Sequence, residues 1–232
     1  MVETTRVPAI DPMTADGAYA LGMLWADGCL YSRGISKYPI RGDVGRPLWT
    51  VSVTTQEEET AQTMQRIFQT TTKLNTSTPE GYKPRWQWRS HSTDLGEALR
   101  TRGMTPRKSL TLTLPHIEEE FRRDFVRGYL DGDGSWHFDV RGKVPSIRCT
   151  FSCANKQYLV DLWDWLPTSG GSLGRANGAF QLTFCKKESL AIGNWIYYDG
   201  STSLTRKRKI FEEGRELAKT IKMGRPKEVR HG

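Results

Sequence analysis

Apolar and polar residues alternate with a period of two in several short stretches of the chain. Trp49, Val51 and Val53 fall on one side of such a stretch, Thr50, Ser52 and Thr54 on the other. Trp86 and Trp88 oppose Arg85, Gln87 and Arg89, and Phe180, Leu182 and Phe184 oppose Gln181 and Thr183. In Ser146–Cys153 the apolar side is Ile147, Cys149, Phe151 and Cys153; in Ser135–Arg141 it is Trp136, Phe138 and Val140. Alternation of this kind predicts strands with one buried face. The exposed faces carry Arg, Gln, Ser and Thr, the donors and acceptors that read base edges and hold phosphates. A solvated sheet face would look the same on any single strand, but several alike favour a binding surface. Helical stretches over Gln56–Gln69 and Lys156–Leu166 each follow a strand, and the turn-rich run from Gly170 to Arg175 leads into a hairpin.

The chain also repeats itself. Ala20–Gly28 (ALGMLWADG) and Val126–Gly134 (VRGYLDGDG) pair Gly22 with Gly128, Asp27 with Asp133 and Gly28 with Gly134 at a constant offset of 106 residues. Each motif ends a helix. The first starts near Thr14, a good N-cap. The second follows Pro115, with Glu118, Glu119 and Glu120 near its N-terminal turn, where the helix dipole favours acids. Gly22 and Ala26, and Gly128 and Gly132, stand four apart on one face of each helix. Small residues there let two backbones approach, which would bring Asp27 and Asp133 together. No low-complexity linker separates the halves, taken as 1–112 and 113–232, and they are expected to share one core.

Charge sharpens the picture. With 34 Lys+Arg against 26 Asp+Glu the net charge is +8 and the pI about 9.4, which suits a polyanionic partner such as nucleic acid. The longest apolar run, Ala18–Ala26, is far short of the roughly 20 residues that span a bilayer. No basic segment followed by an apolar core marks a secretion signal, so an intracellular location is expected. Cys29, Cys149, Cys153 and Cys185 form no CxxC pair and read as reduced core cysteines. His91, His116, His137 and His231 lack zinc or HNH spacing. Asp-Gly-Asp-Gly at 131–134 is not a calcium loop, because Ser135-Trp136 break the ligand spacing. A plain Asp-Gly helix end explains one motif, not two with matched surroundings.

Helix-strand-strand-helix-strand-strand-helix, twice, with each first helix ending in a carboxylate and glycine, resembles the LAGLIDADG homing endonucleases in their single-chain, two-repeat form. The resemblance covers Thr14 to Lys209. It implies an α+β fold: a pseudo-twofold tandem repeat of αββαββα units, two antiparallel sheets forming a DNA-binding saddle, and the motif helices at the repeat interface. It implies a monomer that makes a metal-dependent double-strand break with short 3′ overhangs in a long DNA target. Asp27 and Asp133 correspond to the family's metal ligands, and the carbonyls of Ala26 and Gly132 to further ligands. Two or three Mg²⁺ ions would be shared between the two acids. Lys108, in Pro-Arg-Lys-Ser, and Lys207, in Leu-Thr-Arg-Lys-Arg, match the basic residue near the reacting phosphate, with Arg206 and Lys209 as alternatives to the second. Asn155, and Thr55 or Gln56 in the first half, match a polar residue that holds water near the metals.

DNA contacts are expected from Arg33, Lys37, Arg41 and Arg46 in the longer first loop. On the sheets they are expected from Arg85, Gln87, Arg89, His137, Arg141, Lys143, Arg148, Arg175 and Gln181. The first motif departs from the signature at Trp25, where a small or acidic residue is usual. Two other functions fit the same fold: a maturase that binds intron RNA, and a DNA-binding regulator that does not cut. The regulator is expected to have lost one or both acids, and both are present. The start at Met1 without splice-junction residues points away from an intein.

Overall fold

Thr14 opens the first helix: its hydroxyl accepts a hydrogen bond from the Gly17 amide at 3.0 Å, satisfying an N–H that has no partner within the helix. The computed structural model describes residues 10, 13–35, 45, 47–71, 73–141 and 145–223. Helix α1 (Ala15–Asp27) runs directly into β1 (Gly28–Ile35), followed by β2 (Pro47–Thr55), α2 (Glu58–Ile67), β3 (Asn75–Ser77), β4 (Arg85–Ser90) and α3 (Thr93–Thr101). The order then repeats as α4 (Arg122–Asp133), β5 (Gly134–Asp139), β6 (Ser146–Cys153), α5 (Lys156–Trp165), β7 (Ser172–Ala176), β8 (Ala179–Cys185) and α6 (Lys186–Ile196). A long last helix, α7 (Thr205–Met223), has no equivalent in the first half, where a 3₁₀ turn over Lys108–Leu110 follows α3 instead. None of the described helices is long and apolar enough to cross a membrane.

Each half builds one antiparallel sheet, in the orders β1-β2-β4-β3 and β5-β6-β8-β7. The two orders are one topology used twice, as the repeat predicts. Register fixes the faces, because residues directly opposite share a side. Ser52 lies opposite Arg89 and Thr54 opposite Gln87; Arg148 lies opposite His137 and Ser152 opposite Gln181. The other side is apolar: Val51, Val53, Trp88, Ile147, Cys149, Phe151, Leu182 and Phe184 are all buried. They join residues of α1 and α4 in one hydrophobic cluster that draws on both halves.

Helices α1 and α4 make the most extensive helix–helix packing in the molecule. A Cβ added at Gly22 would stand 2.0 Å from the Phe125 carbonyl oxygen, and one at Gly128 would stand 2.0 Å from the Tyr19 carbonyl oxygen. The contact is symmetric, since Tyr19 and Phe125 also stand 106 residues apart. One turn further on, a Cβ at Gly132 would meet that of Ala26 at 2.3 Å. Backbone packs on backbone, so the helix ends lie side by side.

Some details differ from the pattern. Val140 was expected in the core but is 70% exposed; β5 ends at Asp139, whose carboxylate accepts hydrogen bonds from the Arg141 amide and guanidinium and turns the chain. Thr50 and Ser52, expected outside, are buried, with Thr50 Oγ1 2.9 Å from His91 Nδ1. The second motif helix starts at Arg122, after a 3₁₀ turn over Glu119–Phe121. All four cysteines are free, but only Cys149 and Cys153 are buried; Cys29 is exposed.

Gly22→Ala and Gly128→Ala are each expected to lower stability by about 1–3 kcal/mol, the usual cost of overpacking. Gly174→Ala, whose added Cβ meets nothing within 4 Å, should change it by no more than about 0.5 kcal/mol. Urea midpoints decide: equal values for all three variants would mean the helices part at no cost.

Candidate active site

Asp27 is the last residue of α1 and Asp133 the last of α4. The following glycines leave each helix in extended conformation, Gly28 at φ −75° and Gly134 at φ −101°. A Cβ on Gly28 would strike the Leu24 carbonyl oxygen at 2.3 Å, so glycine is what lets β1 begin without a spacer. Packing of α1 on α4 then brings the acids together. Asp27 Oδ2 lies 3.4 Å from the point where a Cβ on Gly132 would stand, one residue before Asp133.

Two lysines complete the group. Lys108 sits on the 3₁₀ turn, is 9% exposed, and donates from Nζ to the Ala26 carbonyl at 2.8 Å. Lys207, on α7, is 4% exposed and donates to the carbonyls of Leu130 (2.8 Å), Asp131 (2.7 Å) and Gly134 (2.7 Å), with Gly132 further off at 3.4 Å. Cations at helix C-termini satisfy the last carbonyls and oppose the negative end of the dipole. The three short bonds use all the protons of the Lys207 ammonium, which leaves the Gly132 oxygen the least engaged. Arg206, an alternative to Lys207, instead pairs with Glu57 at 2.9 Å, and Lys209 is exposed.

A cleft of about 210 Å³ opens beside these groups, lined in part by Ala26, Lys108, Asp133, Ser152 and Cys153. Both aspartates reach solvent, yet the protein around them strips away enough water to shift both. Asp133 is pushed up to about 6, first by desolvation and then by the Asp27 charge, against the pull of Lys108 and Lys207. Asp27 is raised by desolvation and held back by the two lysines. Burial lowers both lysines, while nearby aspartates hold them up. Among the described residues, no group of three or more His, Cys, Asp or Glu side chains gathers as a cation cage.

No protein-family model matches the chain, and no curated protein matches it. Solved structures do. The K262A mutant of I-SmaMI aligns with a TM-score of 0.61 at 10% identity, over 89% of this chain and 92% of that one. The LAGLIDADG meganuclease I-AabMI, bound to uncleaved DNA, aligns at 0.58 and 10% identity, over 88% and 91%. The homing endonuclease I-WcaI, bound to its DNA recognition sequence, aligns at 0.57 and 9%, over 85% of each chain. This is the LAGLIDADG endonuclease fold. At such identity the LAGLIDADG likeness is one of topology, and side-chain roles rest on this chain's own geometry.

The remaining predicted residues divide into groups. Gln87, Arg89, His137, Arg148 and Gln181 lie on strands along the polar sheet faces, Arg85 shares its face with Ser77, and Arg33 falls in β1 where the register shifts. Arg89 donates to Gln87 Oε1 at 2.6 Å, and Gln87 to Thr54 Oγ1 at 3.0 Å. Asp139 gathers Arg141 and Arg148, each at 2.9 Å. Arg175 was expected with Gln181 but falls on the opposite, core-side face: its register partner is Phe180, over whose ring it stacks at 5.6 Å. Lys37, Arg41, Arg46 and Lys143 lie outside the described residues.

Asn155 is committed to structure. Its Oδ1 caps α5 by accepting from the Gln157 amide at 3.0 Å, and its Nδ2 donates to the Leu112 carbonyl at 2.9 Å, so its predicted water-holding role competes with two existing bonds. Thr55 Oγ1 accepts from the Glu57 amide at 3.0 Å, while Gln56 is exposed. Sequence reasoning passed over Asp131, buried beside Lys207 and pushed up to about 6 by that burial. The only available signal was its match to Trp25 across the repeat.

Raised carboxylate pKa values set a pH dependence. Between about pH 4 and 6 native Asp133 holds a proton that the unfolded chain has released, so its contribution falls as pH rises through about 6. His91 and His137 are lowered by burial and act with the opposite sign, so the difference from a variant isolates the acid. In EDTA, Asp133→Asn should melt close to wild type at about pH 4, near the unfolded value, and above it at pH 7, where the loss is complete. A difference unchanged between the two pH values would rule out the shifted carboxylate.

Proposed function

We propose that the protein is a site-specific, metal-dependent DNA endonuclease that cuts both strands of a long duplex target and leaves short 3′ overhangs. One observation carries this reading: two carboxylates, one from each half, converge at the ends of packed helices, flanked by two buried lysines. I-AabMI and I-WcaI, which share the fold, are described as bound to DNA, and the +8 charge and polar sheet faces favour the same partner here. A regulator that does not cut would have no use for paired acids held against their own repulsion.

The donor set fits Mg²⁺. It offers hard oxygens only, Asp27, Asp133 and the Gly132 carbonyl, and Mg²⁺ takes few protein ligands while keeping waters and substrate oxygens. Among the described residues no third acid gathers with them as a ligand, so the remaining oxygens would come from the scissile phosphates and water, which suits two or three shared ions. When bound, divalent cations neutralise charge that builds on the phosphoryl and leaving 3′ oxygens.

The chain's own groups supply the rest. Asp27 and Asp133, once ionised, place negative charge side by side at the helix ends, where cations and phosphates would meet. Lys108 and Lys207 hold fixed positive charge below them, aimed at a phosphate that develops negative charge. One acid and one lysine from each half give each strand its own set of groups. Arg89 and Gln87 on one sheet, and Arg148, His137 and Gln181 on the other, would read base edges.

The test is incubation with a randomised duplex library, with Mg²⁺ or with EDTA, followed by sequencing of the ends. Recurrent breaks with 3′ overhangs only in Mg²⁺ are expected; none at any metal concentration would end the proposal. Asp27→Asn and Asp133→Asn should each reduce double-strand cutting by at least about 100-fold, more than outer-shell changes cost, while DNA binding in gel-shift persists. Arg148→Ala should weaken cognate binding by about 1–3 kcal/mol and relax preference near its contact. Unchanged binding across a salt series would count against the sheet face.

A further inference from the structure

The two motifs hold another pair at the same 106-residue offset, Trp25 and Asp131. Chemically they have little in common, yet each makes the same kind of connection. Trp25 is wholly buried, and its Nε1 donates to the Thr113 carbonyl at 2.7 Å. Thr113 closely follows the 3₁₀ turn that carries Lys108. Asp131 is 4% exposed, and its Oδ2 accepts from the Leu204 amide at 2.7 Å and from the Tyr19 hydroxyl at 2.9 Å. The Leu204 carbonyl in turn accepts from the Lys207 amide at 3.0 Å.

We propose that this motif position is a positioning site: in each half its residue fastens the segment bearing that half's lysine, and so sets the ammonium against the helix-end carbonyls. Two features argue that the connection serves more than stability. Arg107, which leads into the Lys108 turn, holds a left-handed φ of 56°, a strained state for a non-glycine residue that needs outside restraint. Asp131 keeps Oδ1 buried with no hydrogen-bond partner, a cost that an apolar residue would not carry. The anchors are not the only ties. Glu59 of α2 also accepts from the Thr205 amide at 3.2 Å, so removing Asp131 loosens the start of α7 without releasing the helix.

The structural claim stands on geometry, and its consequence for cutting rests on the proposed endonuclease function. The experiment therefore has two arms. In metal-free full-length protein, hydrogen exchange at Leu204–Lys207 should quicken roughly 10- to 100-fold in Asp131→Ala, as for loss of a charged hydrogen bond. Asp131→Asn, whose amide oxygen can accept from the same two donors, should remain within about threefold of wild type. Trp25→Phe should quicken residues 108–113 and leave Leu204–Lys207 unchanged. Acceleration spread evenly over both sheets in either variant would overturn the proposal, because it would report general loosening.

In the second arm, a supercoiled plasmid carrying the site selected by wild type is cut in Mg²⁺. Asp131→Ala and Trp25→Phe should accumulate nicks in opposite strands, each slowed about tenfold on one strand only. Equal slowing of both strands by each variant would overturn the link between anchor and lysine. Wild type that cuts no DNA, with the exchange pattern intact, would remove the nuclease reading and leave the anchoring in place.

Discussion

The structure depends on one contact: the backbone of α1 lying directly on that of α4. Gly22 meets the Phe125 carbonyl and Gly128 meets the Tyr19 carbonyl, which leaves no room for any side chain between them. Close packing is unforgiving of even one added methyl group, so the separation of the helix axes is set by four residues in two matched pairs. Everything that could perform chemistry hangs from the far ends of these helices. Moving them apart would separate Asp27 from Asp133 and divide the core that both halves share.

That contact also creates an electrostatic problem, and the lysines answer it. Bringing two carboxylates and two helix C-termini to one place concentrates negative charge where water is partly excluded. Lys108 and Lys207 sit beneath, bonded to carbonyls and not directly to the acids. Among the described residues, neither carboxylate is left with a cation as direct partner. A direct Lys–Asp ion pair would quench both groups. Holding the ammonium on the peptide oxygens leaves the acids unbridged by either lysine, and the loss of water around Asp133, more than the Asp27 charge, keeps its carboxyl raised; that is the state the proposed cation binding would use.

Much of this was legible in the residues because it repeats. Gly22 with Gly128 and Asp27 with Asp133 stand out only when the two segments are laid side by side, and that comparison also yields the twin sheets. Alternation on β2, β4, β6 and β8 identified their buried sides, since a period of two leaves little ambiguity where one face packs on a core. What was not legible lies where the repeat fails or where contacts are remote in sequence. α7 has no counterpart, so nothing in the first half announces it. Arg175 was misplaced because a hairpin's register decides its face, and composition does not reveal register. Val140 continues the alternation past the point where Arg141 turns back on Asp139. Asn155 has the right chemistry for holding water, but its amide closes a helix cap.

The asymmetry between the halves has a consequence of its own. A protein made of two identical halves would hold its two lysines in the same way; this chain places one on a short turn and the other on a 19-residue helix. The helix is tied across the molecule, since Glu57 and Glu59 of the first half bind Arg206 and Thr205 and Thr202 donates to Asp16. The Lys108 turn is tied to the second half in a lighter way, through Asn155 Nδ2 on Leu112. Each lysine is therefore placed partly by the half to which it does not belong. Loss of one anchor acts on its own lysine, whereas a rigid shift of one whole half against the other would be felt at the opposite lysine. For a protein proposed to cut both strands of one duplex, that interlock would couple the two cuts through packing that already exists in the free protein.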